Sequence, residues 1–226
     1  MMIESLTRFP LSVIFQDADT LRSYTYTQVK TAASEFGEGL RAIWDWQKGD
    51  VLTVFSPNSI DIPVIIWGTQ WAGGVVSTAN PNSTVDELAY QLKNTNSRVL
   101  ATQFAFLPTA KEAAKNVGLP GDRIILTGDE FDSTRQTKHF TSIRNVSAVV
   151  RYRKTRIKPE KDLAFLVYSS GTTGVSKAVM LSHRNIVANV LQGTVGEGGN
   201  LSWTGGQDGK GDKVLAFLPF FHIYGK

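Results

Sequence analysis

Between Val51 and Thr127 the chain alternates short apolar runs with stretches whose apolar residues recur at helical spacing. Residues 51–55 read as a buried strand, and 62–72 as an apolar helix with Pro63 in its first turn and Gly73-Gly74 as its stop. Residues 75–77 form the next short strand, and Asn80-Pro81-Asn82 a turn. Thr84-Val85-Asp86-Glu87 has the form of a capping box, opening a helix whose inner face is Val85, Leu88, Ala89 and Leu92. A strand at 98–102, a helix at 109–117 stopped by Gly118, and a strand at 123–127 complete the series. Ahead of it, 21–26 suits a strand or hairpin. Val29, Ala32, Ala33, Phe36, Leu40 and Ile43 then mark a helix with Thr27 as its expected N-cap. Strand and helix in strict turn predict an α/β fold: a layered, mostly parallel sheet flanked by helices.

The next informative stretch is Tyr168-Ser169-Ser170-Gly171-Thr172-Thr173-Gly174-Val175-Ser176-Lys177, set between the apolar runs Leu163-Ala164-Phe165-Leu166-Val167 and Ala178-Val179-Met180-Leu181. Both flanks predict strands, so the polar run is expected to join them as a loop. Gly171 and Gly174 let backbone N–H groups close on a ligand; Ser169, Ser170, Thr172 and Thr173 add hydroxyl donors, and Lys177 adds a compact positive charge. These are the parts of a polyphosphate cradle, and equally of a solvated Ser/Gly/Thr loop. The phosphate loop of nucleoside triphosphatases is a poor match. Val175 and Ser176 separate Gly174 from Lys177, Ala178 follows, and the next element reads as a strand where that motif needs a helix.

The same run resembles the phosphate-binding signature of the adenylate-forming superfamily, which includes acyl-CoA synthetases, aryl-CoA ligases of the 4-coumarate–CoA ligase type, beetle luciferases and peptide-synthetase adenylation domains. The usual ending, Gly-Leu-Pro-Lys-Gly, is here Gly174-Val175-Ser176-Lys177-Ala178, which loosens the loop without removing a ligand group. Two further blocks match. Ala72-Gly73-Gly74-Val75-Val76-Ser77 with Asn80-Pro81 and Glu87-Leu88 is similar to a structural block of acyl- and aryl-CoA ligases, and Pro219-Phe220-Phe221-His222-Ile223-Tyr224-Gly225 to their next signature.

The resemblance implies ATP-dependent activation of a small carboxylic acid: acyl-adenylate formation, then transfer to CoA, with ATP, Mg2+ and CoA as co-substrates. It implies that Ser169, Ser170, Gly171, Thr172, Thr173, Gly174 and Lys177 bind the ATP phosphates. His222 is implied as the catalytic group orienting the carboxylate, with His222, Phe221 and Tyr224 lining the acyl pocket. The acidic magnesium ligand is implied to belong to the part of the family pattern beyond Lys226, so the metal ligand in this chain is left unknown. The resemblance further implies an incomplete N-terminal AMP-binding domain. It would comprise an α/β subdomain at 1–150, a basic linker at 151–162, and at 163–226 the phosphate-loop hairpin with the start of an acyl-pocket subdomain. The C-terminal domain, with its catalytic lysine, is expected to be absent, leaving the isolated chain inactive. Two other readings remain open: a non-catalytic phosphate- or nucleotide-binding module, and a kinase-like phosphotransferase. Formation of AMP plus pyrophosphate, or of ADP, separates the ligase from the kinase.

The other features narrow the class. Hydrophobic residues make up 42% of the 226, enough for a globular core. There is no cysteine, which excludes disulfides and thiolate metal sites. Net charge is +4, a modest excess that an anionic small ligand explains as well as a nucleic acid would. Basic residues gather at 149–161 with Tyr152 alone among them as an aromatic; this reads as a solvated linker, and no nucleic-acid partner is expected. No secretory signal is visible at the start, and the longest apolar stretch, around 62–71, is too short to span a bilayer. The expected location is intracellular, cytoplasmic or peroxisomal. After the loop, Ser182 is expected to cap a helix from His183 to about Gln192 with Ile186, Val187, Val190 and Leu191 on its face. The glycine-rich 193–213 reads as a surface loop, and 214–218 as a buried strand.

Overall fold

The computed structural model describes residues 12–146, 152–169, 176–197 and 212–223. A small antiparallel hairpin, β1 (Val13–Gln16) and β2 (Ser23–Thr25), precedes helix α1 (Tyr26–Trp44). Then follow β3 (Val51–Phe55), α2 (Ile62–Trp71), β4 (Val75–Ala79), α3 (Val85–Thr95) and β5 (Ser97–Thr102). A 3-10 turn at Phe104–Phe106 leads into α4 (Leu107–Asn116), and another at Gly121–Arg123 into β6 (Ile124–Leu126). The chain continues through β7 (Lys138–His139), α5 (Phe140–Arg144), β8 (Leu163–Ser169), β9 (Lys177–Ser182) and α6 (His183–Glu197).

Seven strands form one sheet in the order β7-β6-β5-β3-β4-β8-β9. Every neighbouring pair is parallel except β8 and β9, which run antiparallel. The α/β fold with a mostly parallel sheet is therefore as expected. The central strands β3 and β4 are buried at all five positions each, as strands covered on both faces must be. Successive side chains point to opposite faces. Leu52 and Val54 of β3 pack with α1 and α2 through Phe36, Leu40, Ile62 and Ile65. Phe55, next along, packs with α3 and α4 through Leu88, Leu92, Ala110 and Ala113.

Glycine lets α1 and α2 pack closely. A Cβ at Gly37 would stand 2.6 Å from the Gly68 carbonyl oxygen, and one at Gly68 would stand 2.7 Å from that of Ala33. A Cβ at Gly39 would lie 2.0 Å from the Ile143 carbonyl oxygen, so α5 also sits against α1 at a glycine.

Several boundaries differ from expectation. The α1 cap is Thr25, which accepts from Gln28 N–H at 3.2 Å while Gln28 Oε1 accepts from Thr25 N–H at 2.7 Å; Thr27 lies inside the first turn. Residues 129–147, polar in sequence, contain β7 and α5, whose Phe140 and Ile143 are fully buried. Two apolar residues in a five-residue helix are too few for periodicity to detect. Helix α6 runs on to Glu197, past the expected end near 192 and through Gly193 and Gly196, and 198–211 lie outside the described residues. Its apolar face is not buried: Ile186 is half-covered, while Val187, Val190, Leu191 and Val195 are exposed.

The clearest correction falls at 214–218. This run is neither a strand nor buried; Val214, Leu215 and Phe217 are each more than 70% exposed. An apolar run becomes a buried strand only where a neighbouring strand satisfies its peptide groups and a second layer covers it. Among the described residues neither lies alongside. The basic linker, by contrast, is tied down from Tyr152 onward. Thr155 N–H donates to the Trp71 carbonyl at 3.1 Å, Arg41 donates to the Arg153 carbonyl at 2.9 Å, and Lys48 pairs with Asp162. Residues 147–151 lie outside the described part.

Candidate functional site

Parallel sheets place ligands beyond the C-terminal ends of their strands, because the loops there are free to diverge around a site. In this chain a cleft of about 1000 Å3 opens at that edge, beside the ends of β4 and β8. Thr78 of β4, Tyr168 and Ser169 of β8, Ser176 and Val179 at the return of the hairpin, and Asp86, Tyr90 and Gln91 of α3 form its walls. The far side is Phe221, His222 and Ile223. Val167, Val179 and Leu181 give the cleft an apolar lining, while hydroxyl and amide groups cluster at its rim.

Of the residues singled out in the sequence, Ser169, Phe221 and His222 line this one cleft. Lys177 stands directly across from Ser169 in the β8–β9 ladder and follows Ser176, itself a lining residue; its own side chain is exposed. Ser170, Gly171, Thr172, Thr173, Gly174 and Tyr224 lie outside the described residues. His183 sits at the β9–α6 junction, as expected. Ser182 caps α6 there by accepting from Asn185 N–H at 3.3 Å, and Asn185 Oδ1 accepts from Ser182 N–H at 3.0 Å in return. Burial holds the His183 imidazole below its ordinary pKa, and it is not among the residues lining the cleft.

Helix α3 fixes the hairpin to the rest of the sheet. The Tyr168 hydroxyl donates to Asn94 Oδ1 at 2.6 Å, and that of Tyr90 donates to the Ser176 carbonyl at 3.4 Å. Burial first, and then the neighbouring Tyr90, pushes the Tyr168 phenol up to about 12, so it stays a neutral donor at ordinary pH. Gln91, buried on the same helix, donates to Ser77 Oγ at 2.8 Å and to the Thr78 carbonyl at 3.1 Å. On the far wall, Thr78 Oγ1 donates to the Phe221 carbonyl at 2.7 Å, and Asn58 Nδ2 donates to the Leu218 carbonyl at 2.8 Å. Sequence reasoning missed Asn58, Thr78, Tyr90 and Asn94. All four bond to groups far along the chain, which no local pattern reveals.

The arrangement suits an anion that runs from a polar hairpin end toward a histidine, with an apolar body alongside. Among the described residues no group of three or more His, Cys, Asp or Glu stands close enough to hold a metal ion. Glu87, at the cleft rim, spends its carboxylate on Thr84 N–H at 2.8 Å as the second half of the α3 capping box. Among the described residues, no helix is long and apolar enough to cross a membrane.

The pattern of the family described as "AMP-binding enzyme" matches residues 4–226. A probable 4-coumarate–CoA ligase 1 of Dictyostelium discoideum is 31% identical over all of this chain, which spans 41% of that relative. A peroxisomal OPC-8:0-CoA ligase 1 of Arabidopsis thaliana is 32% identical over 94% of the chain and 36% of the relative. The chain thus spans roughly two-fifths of the length of these curated relatives. Among solved structures, a luciferase-like enzyme from the mealworm Zophobas morio superposes with a TM-score of 0.78 at 21% identity, over 99% of this chain and 49% of its own. A long-chain-fatty-acid–CoA ligase from Archaeoglobus fulgidus gives 0.76 at 21%, over 99% and 42%. At such identity these two speak for the fold.

Proposed function

Because this chain belongs to the AMP-binding enzyme family, we propose that it is the N-terminal part of an ATP-dependent acid–thiol ligase. In that reaction a carboxylate oxygen attacks the α-phosphorus of ATP, the bond to the β-phosphate bridging oxygen breaks, and pyrophosphate leaves. The thiol of CoA then attacks the acyl carbon, AMP departs, and a thioester remains. The obstacle is electrostatic, since an anion approaches a polyanion, and the protein's work is to position and neutralise charge.

In this reading Ser169, Ser170, Gly171, Thr172, Thr173, Gly174 and Lys177 hold the phosphates. His222 orients the carboxylate and stabilises charge beside it, and Phe221 and Tyr224 border the acyl group. The domain division belongs to the same proposal: an α/β part at 1–150, a linker at 151–162, and the hairpin with the start of an acyl pocket at 163–226. Mg2+ accompanies ATP as a co-substrate. A location in the cytoplasm or the peroxisome fits the family.

One observation supports this reading most: Ser169 and His222 line one cleft at the C-terminal edge of the sheet. Calorimetry of the 226-residue chain with MgATP and with inorganic pyrophosphate tests it. The expected result is binding of both without turnover to AMP. Absence of binding to either, or release of ADP, overturns it.

A further inference from the structure

The segment that carries His222 is held by side chains from two neighbouring strands' ends. Asn58, between β3 and α2, commits its whole carboxamide to that segment. Its Nδ2 donates to the Ala216 carbonyl at 3.1 Å and to the Leu218 carbonyl at 2.8 Å, and its Oδ1 accepts from Phe220 N–H at 2.7 Å. One strand over, Thr78 Oγ1 donates to the carbonyl of Phe221, the residue before His222.

Half-buried Phe220 packs against the main core, but the stretch before it has little packing of its own, which is where these bonds matter. Val214, Leu215 and Phe217 are exposed, so apolar burial does not hold 214–217 in place. A carboxamide offers a donor edge and an acceptor, as a peptide group does. Asn58 therefore replaces the strand partner that the segment lacks. Its own position is firm. Pro57 fixes the backbone before it, and Ser56 Oγ donates to the Pro57 carbonyl at 2.8 Å. Thr78 is aligned with Val54 in the β3–β4 ladder, and its carbonyl is tied to buried Gln91.

We propose that Asn58 and Thr78 are positioning residues: acting through the backbone of 216–221, they set His222 at the cleft where the acid is activated. The inference rests on the reading of the cleft given above.

The chain has three histidines, His139, His183 and His222, so their ring Cε1–H proton resonances can be followed one by one. In the 226-residue chain, Asn58→Ala is expected to move the His222 resonance and to weaken MgATP, titrated on that resonance, by about three- to tenfold, the range for lost hydrogen bonds. Thr78→Val shifts both readouts the same way, and Thr78→Ser, which keeps the hydroxyl, restores them. The His139 and His183 resonances stay in place, which a general loosening of the fold would not allow. Unchanged His222 resonance and MgATP titration in both Asn58→Ala and Thr78→Val overturn the proposal. So does a shift of all three histidines together. A wild-type His222 resonance that ignores MgATP overturns the reading of the cleft instead, and the displacement caused by Asn58→Ala then decides the clamp alone.

Discussion

Ser169 and Lys177 face each other across the β8–β9 ladder, as the last paired residues before the polar run and the first after it. A hydroxyl that lines the cleft and an exposed ammonium thus share one end of the hairpin. Lys177→Ala removes the charge and leaves the ladder intact, since strand pairing uses backbone groups. MgATP and pyrophosphate are expected to bind about tenfold or more weakly by calorimetry, as befits loss of a charge-assisted contact. Lys177→Arg keeps the charge and recovers part of the loss. Equal affinity in Lys177→Ala and wild type would remove Lys177 from the site.

The crossing of α1 over α2 gives a stability prediction. Gly68→Ala drives a methyl to 2.7 Å from the Ala33 carbonyl oxygen, a backbone atom that cannot swing aside. The expected cost is about 1–3 kcal/mol, read as a drop in thermal midpoint of several degrees. Gly193→Ala in α6 meets nothing within 4 Å and is the control. A better helix former there leaves the midpoint unchanged or raises it.

A buried carboxylate ties the N-terminal hairpin to the sheet. Asp61 is fully buried and accepts two hydrogen bonds from Arg22, at 2.9 and 2.8 Å, with others from the Tyr24 hydroxyl at 2.9 Å and Gly128 N–H at 3.1 Å. Burial, and next the Asp61 charge, pushes the Tyr24 phenol up to about 12. Asp61→Asn keeps the volume and leaves Arg22 with the half-exposed Asp129, 3.0 Å from its Nε, as counter-charge. It is expected to destabilise the fold by about 3 kcal/mol in urea titration, the low end for breaking a buried pair, because a third of the Arg22 side chain still reaches water. Tryptophan fluorescence that unfolds at the wild-type urea concentration would contradict this.

Acid should weaken the fold through two buried imidazoles. Burial holds the imidazoles of His139 and His183 below their ordinary pKa. Between about pH 6.5, where an unfolded histidine titrates, and their depressed folded values, the unfolded chain binds more protons than the native one. The stability these histidines contribute therefore falls as pH drops through that window and is level above it. His139 Nδ1 pairs with Thr141 Oγ1 at 2.8 Å and its Nε2 with the Gly128 carbonyl at 2.9 Å. His139→Gln lowers stability at neutral pH by losing part of this and flattens the dependence on pH. Urea midpoints at pH 7.5, 6.5 and 5.5 measure both effects. A slope as steep in His139→Gln as in wild type would exclude His139 as a source.

How much of this was legible in sequence follows from what each feature depends on. The alternation from β3 to β6 was readable because a parallel sheet covered on both faces imposes apolar strands and periodic helices on consecutive residues. The Thr84–Glu87 capping box was readable because its partners are three residues apart. Strand order was not, since nothing local to Val76 says that it pairs with Phe165. Residues 214–218 misled because apolar composition reports what a segment can bury, whereas burial needs a partner that the segment does not encode. The histidine signature and the hydroxyl-glycine run pointed to a shared site. The side chains that set its walls, Asn58, Thr78, Tyr90 and Asn94, are ordinary polar residues whose roles exist only once distant backbone comes alongside.

The pairing of β4 with β8 has a consequence for how the molecule comes into being. A parallel neighbour this far along the chain contributes nothing until residues 163–169 have been made, and closing so long a loop costs entropy before it brings contacts. The β3-α2-β4-α3-β5 layers can assemble first from sequential neighbours, with the flank of β4 open. The hairpin bearing Ser169 and Lys177 then docks as the last two strands of this sheet. On the proposed reading, a nascent chain that stalls before Phe165 holds the scaffold of the cleft without the hairpin that would meet the phosphates.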